Sequence, residues 1–176
     1  MGHRALLVYR REDRLCDLRY SHWGAKDLEL ATAVTEETPY ANGSIDTSWL
    51  EKSVALDRVL VGFLDPCCYE ALYVIATDFE VTPFRVWWIE WGEPGGRDRG
   101  AIVQTVPGAV DELKQTWFRA TKTTLGDVVE MGGLSRRAAQ AYLEARVVED
   151  HDGYPYTYGG EEYTPVPDRW VDEDEW

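Results

Sequence analysis

The chain has 176 residues, 44% of them hydrophobic, and a formal charge of −14 from 32 acidic and 18 basic side chains. That length suits one domain with a real core, and the composition excludes a disordered chain. No apolar run approaches the roughly 20 residues that span a bilayer. A surface this acidic also argues against nucleic acid as a partner, because phosphate neutralisation needs a basic footprint.

Lysine is scarce: Lys26, Lys52, Lys114 and Lys122 stand against 14 arginines. Excess carboxylate with little lysine suits a protein kept hydrated in concentrated salt, where self-repulsion is screened within about 3 Å at 1 M. The N-terminal MGHRALLVYRRED is too short in apolar residues for a signal peptide. A halophilic cytoplasm is therefore the expected setting. Cys16, Cys67 and Cys68 are odd in number and two are adjacent. Neighbouring cysteines bridge each other only with strain, so reduced thiols, buried as small hydrophobes, are expected.

In chain order, His3 to Trp23 reads as two strands folded about the tetrad Arg11-Glu12-Asp13-Arg14. A symmetric turn pairs Tyr9 with Cys16, Leu7 with Leu18, Ala5 with Tyr20 and His3 with His22. Alternation puts those eight side chains on one face. AKDLELATAV follows as a short helix, then TEETPYANGS as a loop. Ser48-x-x-Glu51 fits a capping box and opens a helix expected from about 48 to 60. Asp65-Pro66 breaks it. Tyr69 to Thr77, Phe84 to Trp91 and the AIVQTV that starts at Ala101 are expected strands with short links, an antiparallel meander that the hairpin joins.

Pro107 opens a helical half. PGAVDELKQTWFRA is one expected helix, and TTLGDVVEMGGLSRRAAQAYLEARVVED makes two more, joined at Gly132-Gly133 with Ser135 as N-cap. Residues 151–176 form an acidic tail rich in Tyr and Pro, with a possible hairpin from Tyr154 to Tyr163 about Gly159-Gly160. The expected fold is a single α+β domain over 1–150. It has an antiparallel sheet of about five strands with an N-terminal hairpin, packed against three to five helices.

Three features bear on chemistry. His3 and His22 fall opposite each other, so they can chelate one metal if Cys67, Glu70 or Asp78 joins them. Otherwise the two rings cap the sheet end, or form a polar binding pocket with Tyr20 and Trp23. The helix pair about Gly132-Gly133 has the shape of a helix-turn-helix with Arg136 and Arg137 leading the second helix, yet Asp127, Glu130, Glu144, Glu149 and Asp150 surround it. Eight tryptophans and ten tyrosines exceed what a core needs, so Trp88 or a neighbour is expected to line a groove or an oligomer contact.

The chain lacks GxGxxG, Walker, GxSxG and HExxH signatures, and the sequence leaves any cofactor unknown. The expected function is a non-enzymatic binding or regulatory module. The alternatives are a small metal-dependent or His-based enzyme at the hairpin mouth, and a DNA-binding regulator.

At MGHRALLVYRR and LRYSHWGAKDLEL the chain resembles an uncharacterised family of small acidic haloarchaeal proteins, whose N-termini carry a similar strand, polar turn and YSHWG segment. The matching positions are Gly2, His3, Arg4, Tyr20, Ser21, His22, Trp23 and Gly24. The likeness is looser at YEALYVIA and GGLSRRAAQAYL. It implies a salt-adapted source and no particular activity.

Overall fold

A computed structural model describes residues 2–160 of the chain. Its strands and helices run β1 (Ala5–Arg10), β2 (Leu15–Ser21), α1 (Leu30–Ala33), β3 (Glu51–Ala55), α2 (Leu56–Phe63), β4 (Ala71–Ile75), β5 (Val81–Trp88), β6 (Asp98–Gln104), α3 (Ala109–Glu130), α4 (Arg136–His151) and β7 (Tyr154–Tyr158). The α+β class stands, and four α-helices fall within the expected range. The sheet is larger than expected and mixed: seven strands in the order β3-β2-β1-β4-β5-β6-β7. Every neighbouring pair is antiparallel except β1 with β4, which is parallel.

The N-terminal hairpin forms, but one residue out of the expected register. Arg10 pairs Cys16, Val8 pairs Leu18 and Leu6 pairs Tyr20. The cause is the loop. Arg11 N–H donates to the Leu15 carbonyl at 2.9 Å, and Arg14 N–H donates to the Arg11 carbonyl at 3.2 Å. Arg14 sits at φ 65°. This is a three-residue loop closed by a left-handed residue, rather than a symmetric two-residue turn. A one-residue shift exchanges faces, so Cys16 and Leu18 join Leu6 and Val8 in one core, while Ala5, Leu7 and Tyr9 enter another.

Both faces of the sheet are covered. On one, α2 and the residue that follows it lay Val59, Leu60 and Leu64 over Leu72, Phe84, Ile102 and Tyr156. On the other, the segment carrying Leu28, Leu30, Val34 and Ile45 covers β1 and β4. Beside it, α3 and α4 cover Trp87, Ala101 and Val103 with Leu125, Ala139, Leu143 and Val147.

Two edge strands depart from expectation. The helix expected over 48–60 is instead β3 followed by α2. Pairing with the open edge of β2 overrides the local capping signal: Leu50 N–H donates to the Leu18 carbonyl, and Asp17 accepts from Ser53 N–H. At the other edge, Tyr154–Tyr158 is β7, paired with β6 from Ile102↔Tyr154 to Asp98↔Tyr158; the second half of the expected hairpin lies outside the described residues. The centre of β7, Tyr156, is fully buried and donates to the Leu64 carbonyl at 2.6 Å. The rest of the expected tail, residues 161–176, lies outside the described residues.

The two helices expected between 107 and about 130 are one, the 22-residue α3. Gly126 does not break it. A Cβ there would stand 3.0 Å from Trp91 Nε1, so its role is to let the indole pack on the helix. Ser135 caps α4 as expected, its hydroxyl accepting from Ala138 N–H at 3.0 Å. Among the described residues no helix is long and apolar enough to cross a membrane.

One buried pair ties these layers together. Arg85 on β5 grips Asp111 in the first turn of α3 through Nε and Nη2, at 2.8 and 2.7 Å. Its Nη1 donates to the Ala25 carbonyl, while the Tyr73 hydroxyl donates to the neighbouring Gly24 carbonyl. The segment that leaves β2 is thereby anchored to the sheet centre.

Candidate functional site

That anchored segment carries His22 and Trp23, with Tyr20 at the end of β2 and His3 just before β1. Trp23 stands between the two imidazoles, its ring centroid 6.1 Å from His3 and 4.9 Å from His22. Each histidine has its own polar partner: His3 Nδ1 lies 2.8 Å from Glu70 Oε2, and His22 Nδ1 lies 2.7 Å from the Tyr20 hydroxyl. The shifted register removes the cross-strand facing that was the basis for pairing them. His22 also packs down on Gly2, where a Cβ would come within 2.4 Å of Nε2.

Tyr20, His22 and Trp23 line a cavity of about 380 Å³ together with Ser21, Gly24, Glu29, Leu30, Ser44 and Asp46. Trp88 is not part of this group. It ends β5, with β1 and β4 between it and β2.

A second cluster, which no spacing motif in the sequence brings together, lies at the start of β6. Asp65, Cys67 and Asp98 bring one donor atom each to within 4.8 Å of one another. Asp65 and Cys67 come from the turn after α2, which is pinned by Pro66: a Cβ on Gly100 of β6 would lie 2.7 Å from the proline ring. Cys67 N–H donates to Asp65 Oδ1 at 2.9 Å, and Cys68 Sγ donates to Asp65 Oδ2 at 3.3 Å. Asp98 opens β6 and accepts the N–H groups of Gly95 and Gly96 at 3.1 and 3.0 Å. Main-chain donors thus orient both carboxylates from behind.

The electrostatics are unusual for a buried acid. Among the described residues, Asp98 and Asp111 are the two buried carboxylates, at 3% and 5% exposure. Asp111 has the Arg85 guanidinium. Neither Asp98 nor Asp65 forms an ion pair with a described lysine or arginine. Burial, then Asp98 and Asp65, push the Cys67 thiol up to about 12. The Lys122 ammonium of α3 acts against that rise at Cys67; its Nζ donates to the Trp88 carbonyl at 2.6 Å and lies 4.3 Å from the Trp88 ring centre. Burial brings Lys122 down to about 8, against the opposing pull of Cys67 and Glu90.

The sequence offered only a faint signal for this cluster. Cys67 enters the sequence-based expectation only as a third ligand for the histidines, and Asp98 is far away in the chain and belongs to no ligand-spacing motif. At the helix pair, Arg136 and Arg137 are exposed, and the Arg136 guanidinium rests against Gly92.

Fold and cluster together define an α+β protein built on a mixed seven-stranded sheet, with an acid–thiol cluster at one end of β6 and an aromatic cavity beside the N-terminal hairpin. A family model described as a family of unknown function (DUF6735) matches residues 1–57 and 41–153. The chain belongs to that family, which agrees with its resemblance to an uncharacterised group. No curated protein and no solved structure matches it.

Proposed function

We propose that this protein is a metal-binding module whose ion is held by Asp65, Cys67 and Asp98. One observation carries the reading: a buried carboxylate that has no guanidinium partner among the described residues converges with a second carboxylate and a thiol, three donors within 4.8 Å. Buried charge is normally paired or engaged with a metal, and a divalent ion supplies that partner. Two oxygens and one sulfur suit Zn²⁺, with the fourth position left to water or to a ligand. Bond lengths of about 2.1 and 2.3 Å put tetrahedral donors about 3.6 Å apart. The side chains would therefore draw in by roughly one ångström. The N–H groups of Gly95, Gly96 and Cys67 act on the ligand carboxylates as outer-shell partners that fix their orientation.

The test is Co²⁺ titration of chelator-stripped protein. One equivalent should bind and produce a thiolate-to-cobalt charge-transfer band. Cys67→Ser should lose the band, while Cys68→Ser and the double variant His3→Ala/His22→Ala should keep it. No band in the native chain, or a band that survives Cys67→Ser, ends the reading. Loss in the histidine variant alone would return the ion to His3 and His22.

The setting we infer is a salt-rich cytoplasm. It is supported by the −14 charge and the low lysine content, which favour a hydrated surface whose repulsion is screened by salt.

A further inference from the structure

The cavity beside the hairpin is independent of the acid–thiol cluster, and its chemistry points to a different ligand. Its volume of about 380 Å³ lies at the small end of the usual range for ligand sites. Two carboxylates, Glu29 and Asp46, line it, and no lysine or arginine does. Neither carboxylate forms an ion pair with a described residue. An anionic ligand would meet like charge on entering, so phosphates and carboxylates are disfavoured.

Trp23 supplies the remaining recognition element. At 59% exposure it is the most exposed tryptophan among the large hydrophobic side chains left open. Its indole is braced by His22 edge-on and by His3 at a tilt, so it is held at the cavity wall rather than swinging free. An indole face attracts a cation within about 6 Å of its centre, and does so more strongly than other aromatic rings.

The same region already uses this pairing once. On β2, whose end lines the cavity, the Arg19 guanidinium lies over both Trp49 and Tyr40, at 3.7 and 3.9 Å from the ring centres. It donates to the main-chain carbonyl of Asp46, a residue that lines the cavity.

We infer that this cavity binds a small organic cation with a flat apolar body, of the arylalkylamine class. The ammonium meets Glu29, Asp46 and the indole face of Trp23, and the apolar body lies against Leu30.

The test is calorimetric titration of the full chain with tyramine and, as its charge-reversed counterpart, 4-hydroxyphenylacetate. Tyramine should bind saturably at one site, and the carboxylate should not. The double variant Glu29→Gln/Asp46→Asn and the single variant Trp23→Leu should each weaken tyramine at least tenfold. Both change exposed side chains, and circular dichroism checks that they fold. Cys67→Ser should bind tyramine as the native chain does, which separates this site from the metal centre. Absence of saturable tyramine binding, equal binding of the carboxylate, or full binding by Trp23→Leu overturns the assignment.

Discussion

At the scale of single residues, the molecule is organised by how its buried charges are neutralised. Arg85 and Asp111 are 6% and 7% exposed at their side chains and bonded through two contacts. Removing one partner strands the other in a low-dielectric interior. Arg85→Met should cost about 3–5 kcal/mol, and Arg85→Met/Asp111→Leu should recover most of it. Urea unfolding at fixed salt measures both. Cys16 has no such partner and stays neutral: burial pushes its thiol from 9.0 up to about 12. A folded-state value above the unfolded one stabilises fully below pH 9, and that contribution is lost as pH rises toward 12. Cys16→Ala should therefore flatten the alkaline limb of the stability profile, read by urea titrations between those pH values. His151 works in the opposite sense. Burial against Trp87 and Trp117, then Lys114, lowers it from 6.5, so the folded state resists its protonation. Native stability should fall as pH drops below 6.5, and His151→Phe should remove part of that fall.

At the scale of elements, loops and edges explain where local pattern and final structure part. Alternation in ALLVYR and LCDLRYS was enough to identify the hairpin, but the register depended on the number of loop residues. Nothing in Glu12-Asp13-Arg14 marks Arg14 as the left-handed position, which Gly would normally fill. Arg14→Gly should remove the strain of φ 65° and leave the protein unchanged or more stable by up to about 1 kcal/mol, since Gly also loosens the unfolded chain. Helix signals were more reliable where the cap is local. Ser135 does what its position suggested, and Ser135→Ala should cost about 1 kcal/mol in thermal or urea unfolding. Ser48-x-x-Glu51 has the same local credentials, yet the free edge of β2 recruited that stretch into β3. Backbone hydrogen bonds to a neighbouring strand outcompeted a helix start with only Val54 buried behind it.

For the whole molecule, charge sets the conditions under which the fold persists. A chain at −14 repels itself in dilute buffer, and salt shortens the range of that repulsion from about 10 Å at 0.1 M to about 3 Å at 1 M. The melting temperature should rise on addition of KCl over that range, with most of the gain at the lower end. Thermal melts followed by circular dichroism check this, and a flat or falling response would count against the salt-adapted setting.

Composition, hydrophobic periodicity and cap residues by themselves determined the α+β class, the N-terminal hairpin, the central strands β4 to β6 and the start of α4, because each rests on contacts between residues near in sequence. Only the tertiary structure decided the hairpin register, the edge strands β3 and β7, the parallel docking of β4 on β1, and the meeting of Asp65, Cys67 and Asp98. Those depend on which distant backbone offers an open edge and which side chains converge from distant segments, and no local pattern encodes the position of a partner that lies elsewhere in the chain.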